Sequence, residues 1–205
     1  GSDKVGAILG SGRNYTKILN CYNRATVSSR TAIGGIVGML ASSGCRVQNC
    51  YNAGSVSGNN TVGGIVGYFA SDAKDALIEN CYNRSDVAGG IVGSVNAAVT
   101  TAEIRNCYTL DTTALAGSPA NLIVTNCGQI TPKDLRDYAP TLGEGYDEDY
   151  FVQNKLFPVL DWENAGRKTT LTKESGVYEI RTADDLRLVS YMVRNGENFS
   201  GDTLE

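Results

Sequence analysis

The stretch "NCYN" occurs at residues 20–23, 49–52 and 80–83, and a near-copy, "NCYT", follows at 106–109. A degenerate fifth copy lies in "VTNCGQI", which begins at residue 124. The cysteines of the five copies are spaced by 29, 31, 26 and 20 residues. Self-similarity with a period of this size is typical of solenoids and other repeat arrays. The pattern therefore predicts a stack of similar units over residues 1–128.

A second motif alternates with the first. It occurs as "VGAILG" at 5–10, "IGGIVG" at 33–38, "VGGIVG" at 62–67 and "AGGIVG" at 88–93. Short runs of Val and Ile between Gly, Asn and Ser indicate β-strands, and no apolar stripe with helical spacing runs through the repeats. The glycine pair predicts a tight bend or a close approach of two backbone segments. We therefore predict an all-β fold, a parallel β-helix of about four to five coils with variable loops.

Equivalent residues of a parallel stack lie directly above one another, so each repeated residue type becomes a ladder. Asparagine tolerates the left-handed backbone of a sharp turn, and its amide can bond to the copies above and below. This predicts a corner ladder of Asn20, Asn49, Asn80, Asn106 and Asn126. Cysteine is small and usually buried, which predicts an inward ladder of Cys21, Cys50, Cys81, Cys107 and Cys127. Their parallel Cβ atoms would lie about 4.8 Å apart, beyond the ~3.8 Å that a disulfide prefers, so free thiols are expected, with Cys45 outside the ladder.

The alternation of side chains along a strand assigns the tyrosines of the motif to the outer face and the following asparagines to the inside. The outward set is Tyr22, Tyr51, Tyr82 and Tyr108, and the inward set is Asn23, Asn52 and Asn83. One hypothesis is that the exposed, stacked rings bind a sugar. The other is that they only cover the outer face of a sheet and favour cross-strand stacking. The first predicts that loss of Tyr51 and Tyr82 weakens ligand binding while barely changing thermal stability.

Residues 129–163 are assigned to a small mixed cap, because a solenoid exposes its last core layer unless something covers it. Thr131 predicts the N-cap of a short helix, and the apolar stretch "LFPVLDW" at 156–162 predicts a strand. Phe157 and Trp162 are the expected core of this cap.

Residues 164–205 are assigned to a polar linker, 164–174, and a trailing helix. Thr182 predicts the N-cap of that helix, and Asn195-Gly196 predicts its end. Its apolar face is expected to contain Leu186, Val189, Met192 and Val193. No strand is expected after the helix, and the segment is interpreted as the start of a following repeat domain.

The glycine-rich and "NCYN" motifs, repeated about every 26–31 residues, resemble the GLUG-type repeats of large bacterial cell-surface proteins. The resemblance covers about residues 5–128, and "LFPVLDW" resembles the closing segment of such arrays. It departs in the fourth unit, where "TALAGSP" at 113–119 replaces the glycine-rich motif. The resemblance implies a right-handed parallel β-helix in an exported protein. Such repeats also occur in non-catalytic regions of some immunoglobulin A-type zinc metallopeptidases.

Composition excludes several classes of function. A chain of 205 residues with a net charge of −4, and without a basic run, is not expected to bind nucleic acid. No apolar stretch approaches the ~18–20 residues that span a bilayer, so no membrane insertion is expected. The absence of histidine excludes Ser-His-Asp and Cys-His catalysis and most zinc sites. No metal or other cofactor is predicted, and because the acidic residues are scattered over loops, no catalytic residue is assigned.

The leading hypothesis is a non-enzymatic, adhesin-like structural module of an exported bacterial protein. It would be extracellular, at the cell surface, with a host glycan or glycoprotein as candidate partner. The alternative is a carbohydrate-active β-helix enzyme, a polysaccharide lyase or hydrolase, which requires acidic residues of consecutive coils to meet on one face. A third hypothesis is the non-catalytic region of a surface metalloprotease. The sequence leaves the oligomeric state open.

Overall fold

A computed structural model describes residues 3–85, 90–110, 115, 122–131, 142, 146–147, 158–164, 170–175, 177–194 and 196–204. Most described strands belong to parallel sheets that stack as a β-solenoid of about five coils. This confirms the predicted fold class. In-register pairing follows the repeat, since Cys50 pairs with Cys81 and Tyr51 pairs with Tyr82.

In the part of the chain that the structure describes, four stacked parallel sheets form the sides of the solenoid. The first contains Val5–Gly6, Ile33–Gly34 and Val62–Gly63. The second contains Leu9–Gly12, Val37–Leu40, Val66–Phe69 and Val92–Val95. The third, here called the NCYN sheet, contains Lys17–Leu19, Tyr22–Asn23, Arg46–Asn52, Leu77–Asn83, Glu103–Arg105, Tyr108–Thr109, Ile123–Thr125 and Gly128–Gln129. The fourth contains Val27–Ser28 and Val56–Ser57.

The inside of the solenoid is a continuous apolar core. It is built from the Ile and Val of the glycine-rich motif, one aliphatic residue of each NCYN strand, and the cysteines. Fully buried members include Ile36, Leu40, Ile65, Phe69, Ile78, Ile91 and Ile104. The short β-branched runs of the sequence therefore have a direct cause, because each coil contributes one layer to the same core.

The first glycine of the motif lies where two backbone segments approach closely. A Cβ atom on Gly34 would lie 2.7 Å from the carbonyl oxygen of Ile65 and closer still to that of Val37. Both atoms belong to the backbone, which cannot move without disturbing the stack. The close approach predicted from the glycine pair is therefore present at this position.

We expect Gly34→Ala to lower the free energy of unfolding by about 1–3 kcal/mol, because an added methyl group overpacks this corner. Urea denaturation of the variant and the parent chain would measure the difference. Gly128→Ala is the matched control, since no heavy atom lies within 4 Å of a Cβ at Gly128. An equal loss in both variants would contradict the steric explanation.

The described part of 129–163 lies against the side of the solenoid. Tyr146–Asp147 pairs antiparallel with Val159–Leu160, and a short helix follows at Asp161–Asn164. These residues pack on the tyrosines of the NCYN sheet, which form the second apolar cluster of the molecule. They cover the last coil only in part: Ile130 is buried in this cluster, whereas Val124, which pairs with the core residue Ile104, is 44% exposed.

Trp162 is 48% exposed, so its assignment to the cap core is wrong; the indole packs on Tyr22 at the rim of the tyrosine surface. The predicted strand is present only at Val159–Leu160. Phe157 and most of the helix predicted after Thr131 lie outside the described residues.

The trailing segment contains more structure than predicted. The helix spans Ala183–Arg194, but strands occur at Lys173–Glu174, Val177–Tyr178 and Thr203–Leu204. The first two strands pair antiparallel, and the last pairs parallel with Val177–Tyr178. The expectation that no strand follows the helix is therefore wrong, and the last two residues of the predicted linker form a strand, because two-residue strands carry no detectable alternation.

The start and the end of the trailing helix agree with the predicted N-cap at Thr182 and the predicted end at Asn195-Gly196. The Asp185 backbone N–H donates to Thr182 Oγ1 at 3.2 Å, and the Thr182 N–H donates back to Asp185 Oδ2 at 2.8 Å. Gly196 follows the helix with φ of 90°. The predicted apolar face is only partly correct: Val189 and Met192 are half-buried, but Leu186 is 63% and Val193 55% exposed, and Leu188 is buried instead. Asp185, whose carboxylate caps the helix, is also buried, so the buried side of the helix includes positions 185 and 188.

Candidate functional site

The asparagines that open each motif form the predicted corner. Their backbone lies in the left-handed region, with φ of 53° at Asn20, 52° at Asn49 and Asn80, and 50° at Asn106 and Asn126. From Asn49 onward, each side-chain Nδ2 donates to Oδ1 of the preceding coil, at 3.2, 3.1, 3.1 and 2.8 Å along the stack. The amide ladder is therefore continuous over all five coils.

A second asparagine ladder lies inside the solenoid. Asn23 Nδ2 donates to Asn52 Oδ1 at 2.8 Å, and Asn52 Nδ2 donates to Asn83 Oδ1 at 2.9 Å. Each Oδ1 also accepts a backbone N–H two residues later, as at Ala25, which closes the local turn. The second glycine of the neighbouring motif makes room for these amides, since a Cβ on Gly35 would overlap the Asn52 side chain.

The cysteines occupy the inward positions beside the corner. All six are free; Cys45, Cys50, Cys81 and Cys107 are buried, and Cys21 and Cys127 are half-buried. Each ladder thiol donates to a backbone carbonyl two residues earlier, for example Cys81 to Glu79 at 3.2 Å. Burial raises the pKa of the Cys81 thiol, and the side chain packs in the apolar core as a structural residue.

The tyrosines form a stack on the outer face of the NCYN sheet. The rings of Tyr22 and Tyr51 are 5.2 Å apart with an interplanar angle of 10°, and those of Tyr51 and Tyr82 are 5.0 Å apart at 4°. Tyr108 pairs in register with Tyr82. Offset stacking at these distances is favourable beyond the area it buries.

Three of the four tyrosines are buried and Tyr22 is half-buried, which contradicts the predicted sugar platform. Tyr51 and Tyr82 are fully buried and Tyr108 is 5% exposed, because the segment 158–164 and Tyr146 cover them. The Tyr82 hydroxyl donates to the carbonyl of Pro158. The Tyr146 hydroxyl donates to the Asn80 carbonyl at 2.8 Å.

A polar network binds the segment 158–164 to Tyr51, in the coil that precedes the coil of Tyr82. The Tyr51 hydroxyl donates to Glu163 and accepts from the guanidinium of Arg24 at 2.8 Å. Arg24 and Glu163 form an ion pair at 2.7 Å, and the Glu163 side chain is only 8% exposed. Glu163 also accepts the backbone N–H of Leu160 at 2.9 Å. The segment therefore binds three successive coils, contacting Tyr82, then Tyr51, then Tyr22.

Burial raises the pKa of the hydroxyls of Tyr51, Tyr82 and Tyr146 above the usual range. Neighbouring carboxylate, phenol and thiol groups raise it further. In the unfolded chain these groups ionise near pH 10. The folded state therefore retains protons that the unfolded state releases, and its stability is complete below about pH 10 and falls above it.

We expect the free energy of unfolding to fall by about 1.4 kcal/mol per pH unit for each such tyrosine once the pH exceeds about 10. Urea denaturation at a series of alkaline pH values would measure this slope. Tyr82→Phe removes one ionisable group, so its slope should be shallower by that amount. A slope identical to that of the parent chain would show that Tyr82 ionises in the folded protein.

Sequence reasoning missed Arg24, Glu163 and Tyr146. A signal existed only for the arginine, because "NCYNR" occurs at Arg24 and again at Arg84. Both follow the motif at the same coil position. Tyr146 and Glu163 lie outside the repeats and carry no periodic signal.

Two carboxylates of consecutive coils do meet on the outer face of the NCYN sheet. Glu79 forms an ion pair with Arg105 at 2.7 Å, and Glu103 lies 3.7 Å from the same guanidinium. Gln48 donates to Glu79 at 2.7 Å. The two acids are thus bridged by a cation rather than held on opposite sides of a substrate cleft. Among the described residues, no three Cys, Asp or Glu side chains are placed to hold a metal ion.

The comparisons with known proteins give no relative from which a function could be transferred. No protein-family model matches the chain, and neither a curated protein nor a solved structure matches it. Within the described ranges, no helix has the length and apolar character needed to cross a membrane.

Proposed function

We propose that this chain is a non-enzymatic structural module, of the adhesin-like type, in an exported bacterial surface protein. The observation that carries the proposal is the pair of amide ladders, one at the corner through all five coils and one inside through three. Such ladders fix the register of every coil against its neighbours, so the stack is suited to holding a constant shape.

The covered tyrosine stack also supports a structural role. A segment remote in sequence binds coils one to three through aromatic stacking, an ion pair and hydroxyl hydrogen bonds. The buried thiols require no oxidation to stabilise the stack. The resemblance to cell-surface repeats supplies the proposed location, and a glycan or glycoprotein on a host surface remains the proposed partner.

The test is a pair of assays on the purified chain. We expect binding to an array of glycans and mucin without any cleavage of acidic or neutral polysaccharides. Unsaturated products or new reducing ends would instead support the carbohydrate-active enzyme. Glu79→Gln and Glu103→Gln would then decide the case, since cleavage lost in both variants would overturn the non-enzymatic proposal.

A further inference from the structure

Trp162 is the single tryptophan of the chain, and it is 48% exposed. Its position is nevertheless fixed. The indole stacks on Tyr22 with ring centroids 5.7 Å apart at 22°, and Nε1 donates to the Asn20 carbonyl oxygen at 3.2 Å. An aromatic ring that is already held in place loses little conformational entropy when a ligand packs on it.

The Asn20 side chain supplies a hydrogen-bond donor on the same coil. Every later asparagine of the corner ladder donates its amide to the coil before it, but Asn20 is the first member. Its Oδ1 accepts from Asn49 at 3.2 Å, whereas its Nδ2 has no hydrogen-bond partner among the described residues. Because Asn20 is exposed, this amide can donate to a bound molecule.

Arg24 lies against the other part of this surface. Its guanidinium carbon is 4.8 Å from the centre of the Tyr22 ring, and its side chain is 46% exposed. The ion pair with Glu163 balances the charge of Arg24, so this group gives no net attraction for an anion. The ligand that fits is therefore uncharged, with one apolar flat face and hydroxyl groups at its edge.

We propose that Trp162, Tyr22, Asn20 and Arg24 form a binding site for a neutral pyranose sugar. The C–H face of the sugar packs on the indole, and a hydroxyl at its edge accepts from the Asn20 amide. The site rests on the proposed function, because it would be the adhesive contact of the module. It replaces the buried Tyr51–Tyr82 stack as the sugar-binding surface.

The single tryptophan makes the test direct. Methyl β-D-galactopyranoside and chitotriose would each be titrated into the intact chain while the fluorescence of Trp162 is recorded, with sorbitol as the acyclic control. We expect a saturable change in the millimolar range with at least one pyranose and none with sorbitol. No saturable change, or the same change with sorbitol, would overturn the site.

Asn20→Gly removes only the side-chain amide. Glycine accepts the left-handed backbone, and the backbone carbonyl that accepts from Trp162 stays in place. We expect about tenfold weaker sugar binding from the loss of this hydrogen bond. Asn126→Gly is the matched control, because Asn126 has φ of 50° and ends the same ladder at the opposite side. Equal binding by both variants would overturn the role of Asn20.

The two proposals fail separately. Binding to the glycan array without a change in Trp162 fluorescence would support the adhesin-like module but overturn the proposed site at Trp162. Cleavage of a polysaccharide would overturn the proposal that the chain is non-enzymatic, whether or not Trp162 fluorescence changes with sugar.

Discussion

Tyr82→Ala is expected to lower the free energy of unfolding by about 3–5 kcal/mol, the usual cost of removing a large buried aromatic ring. Tyr82 is fully buried, stacks on Tyr51 at 5.0 Å and contacts Tyr146 at 5.8 Å. Its loss would leave a cavity between the NCYN sheet and the segment 158–164. Urea denaturation followed by the fluorescence of Trp162 measures the effect within that segment.

Tyr15→Ala serves as the control, because Tyr15 is 72% exposed. A change within about 0.5 kcal/mol is expected there, as for most surface substitutions. If the two variants lost equal stability, the tyrosine stack would not be a core. This expectation reverses the hypothesis drawn from sequence, in which loss of Tyr82 would barely affect stability.

Asn52→Ala should also cost about 3–5 kcal/mol, since it removes several buried hydrogen bonds at once. Asn52 is fully buried and bonds to Asn23, Gly54, Asn83 and Ser85. Alanine would leave the amide of Asn23 with only the Ala25 carbonyl as acceptor, and it would remove one of the three donors to the Oδ1 of Asn83. Thermal and urea denaturation of the variant would measure the loss.

Asn59→Ala provides the comparison, because Asn59 is exposed and belongs to neither ladder. Its stability should stay within about 0.5 kcal/mol of the parent chain. A small effect at Asn52 would mean that water replaces the missing amide inside the solenoid. The inner ladder would then not be needed to hold the coils in register.

The repeat carried enough information to predict the stacked coils, both asparagine ladders and the thiol ladder. These features depend on neighbours in adjacent coils, and the repeat itself brings identical residues into those positions. Asn49, for example, is placed above Asn20 and below Asn80 by parallel pairing alone. The left-handed backbone at Asn49 follows from the same residue choice.

Exposure of the tyrosines could not be predicted in this way. Alternation correctly assigned Tyr51 and Tyr82 to the outer face of the sheet, but it does not report what lies beyond that face. The covering contacts join residues 112 positions apart, as between Tyr51 and Glu163. Nothing in the local pattern of either residue indicates the other.

The sequence by itself thus determined the solenoid and its ladders, because a short period repeated in a parallel stack dictates every contact along the stacking direction. Only the tertiary structure decided which side of the solenoid is covered and which aromatic ring stays in contact with solvent. That choice depends on one non-repeating segment and on the ion pair, stacking and hydroxyl contacts it makes with Arg24, Tyr22 and Tyr51.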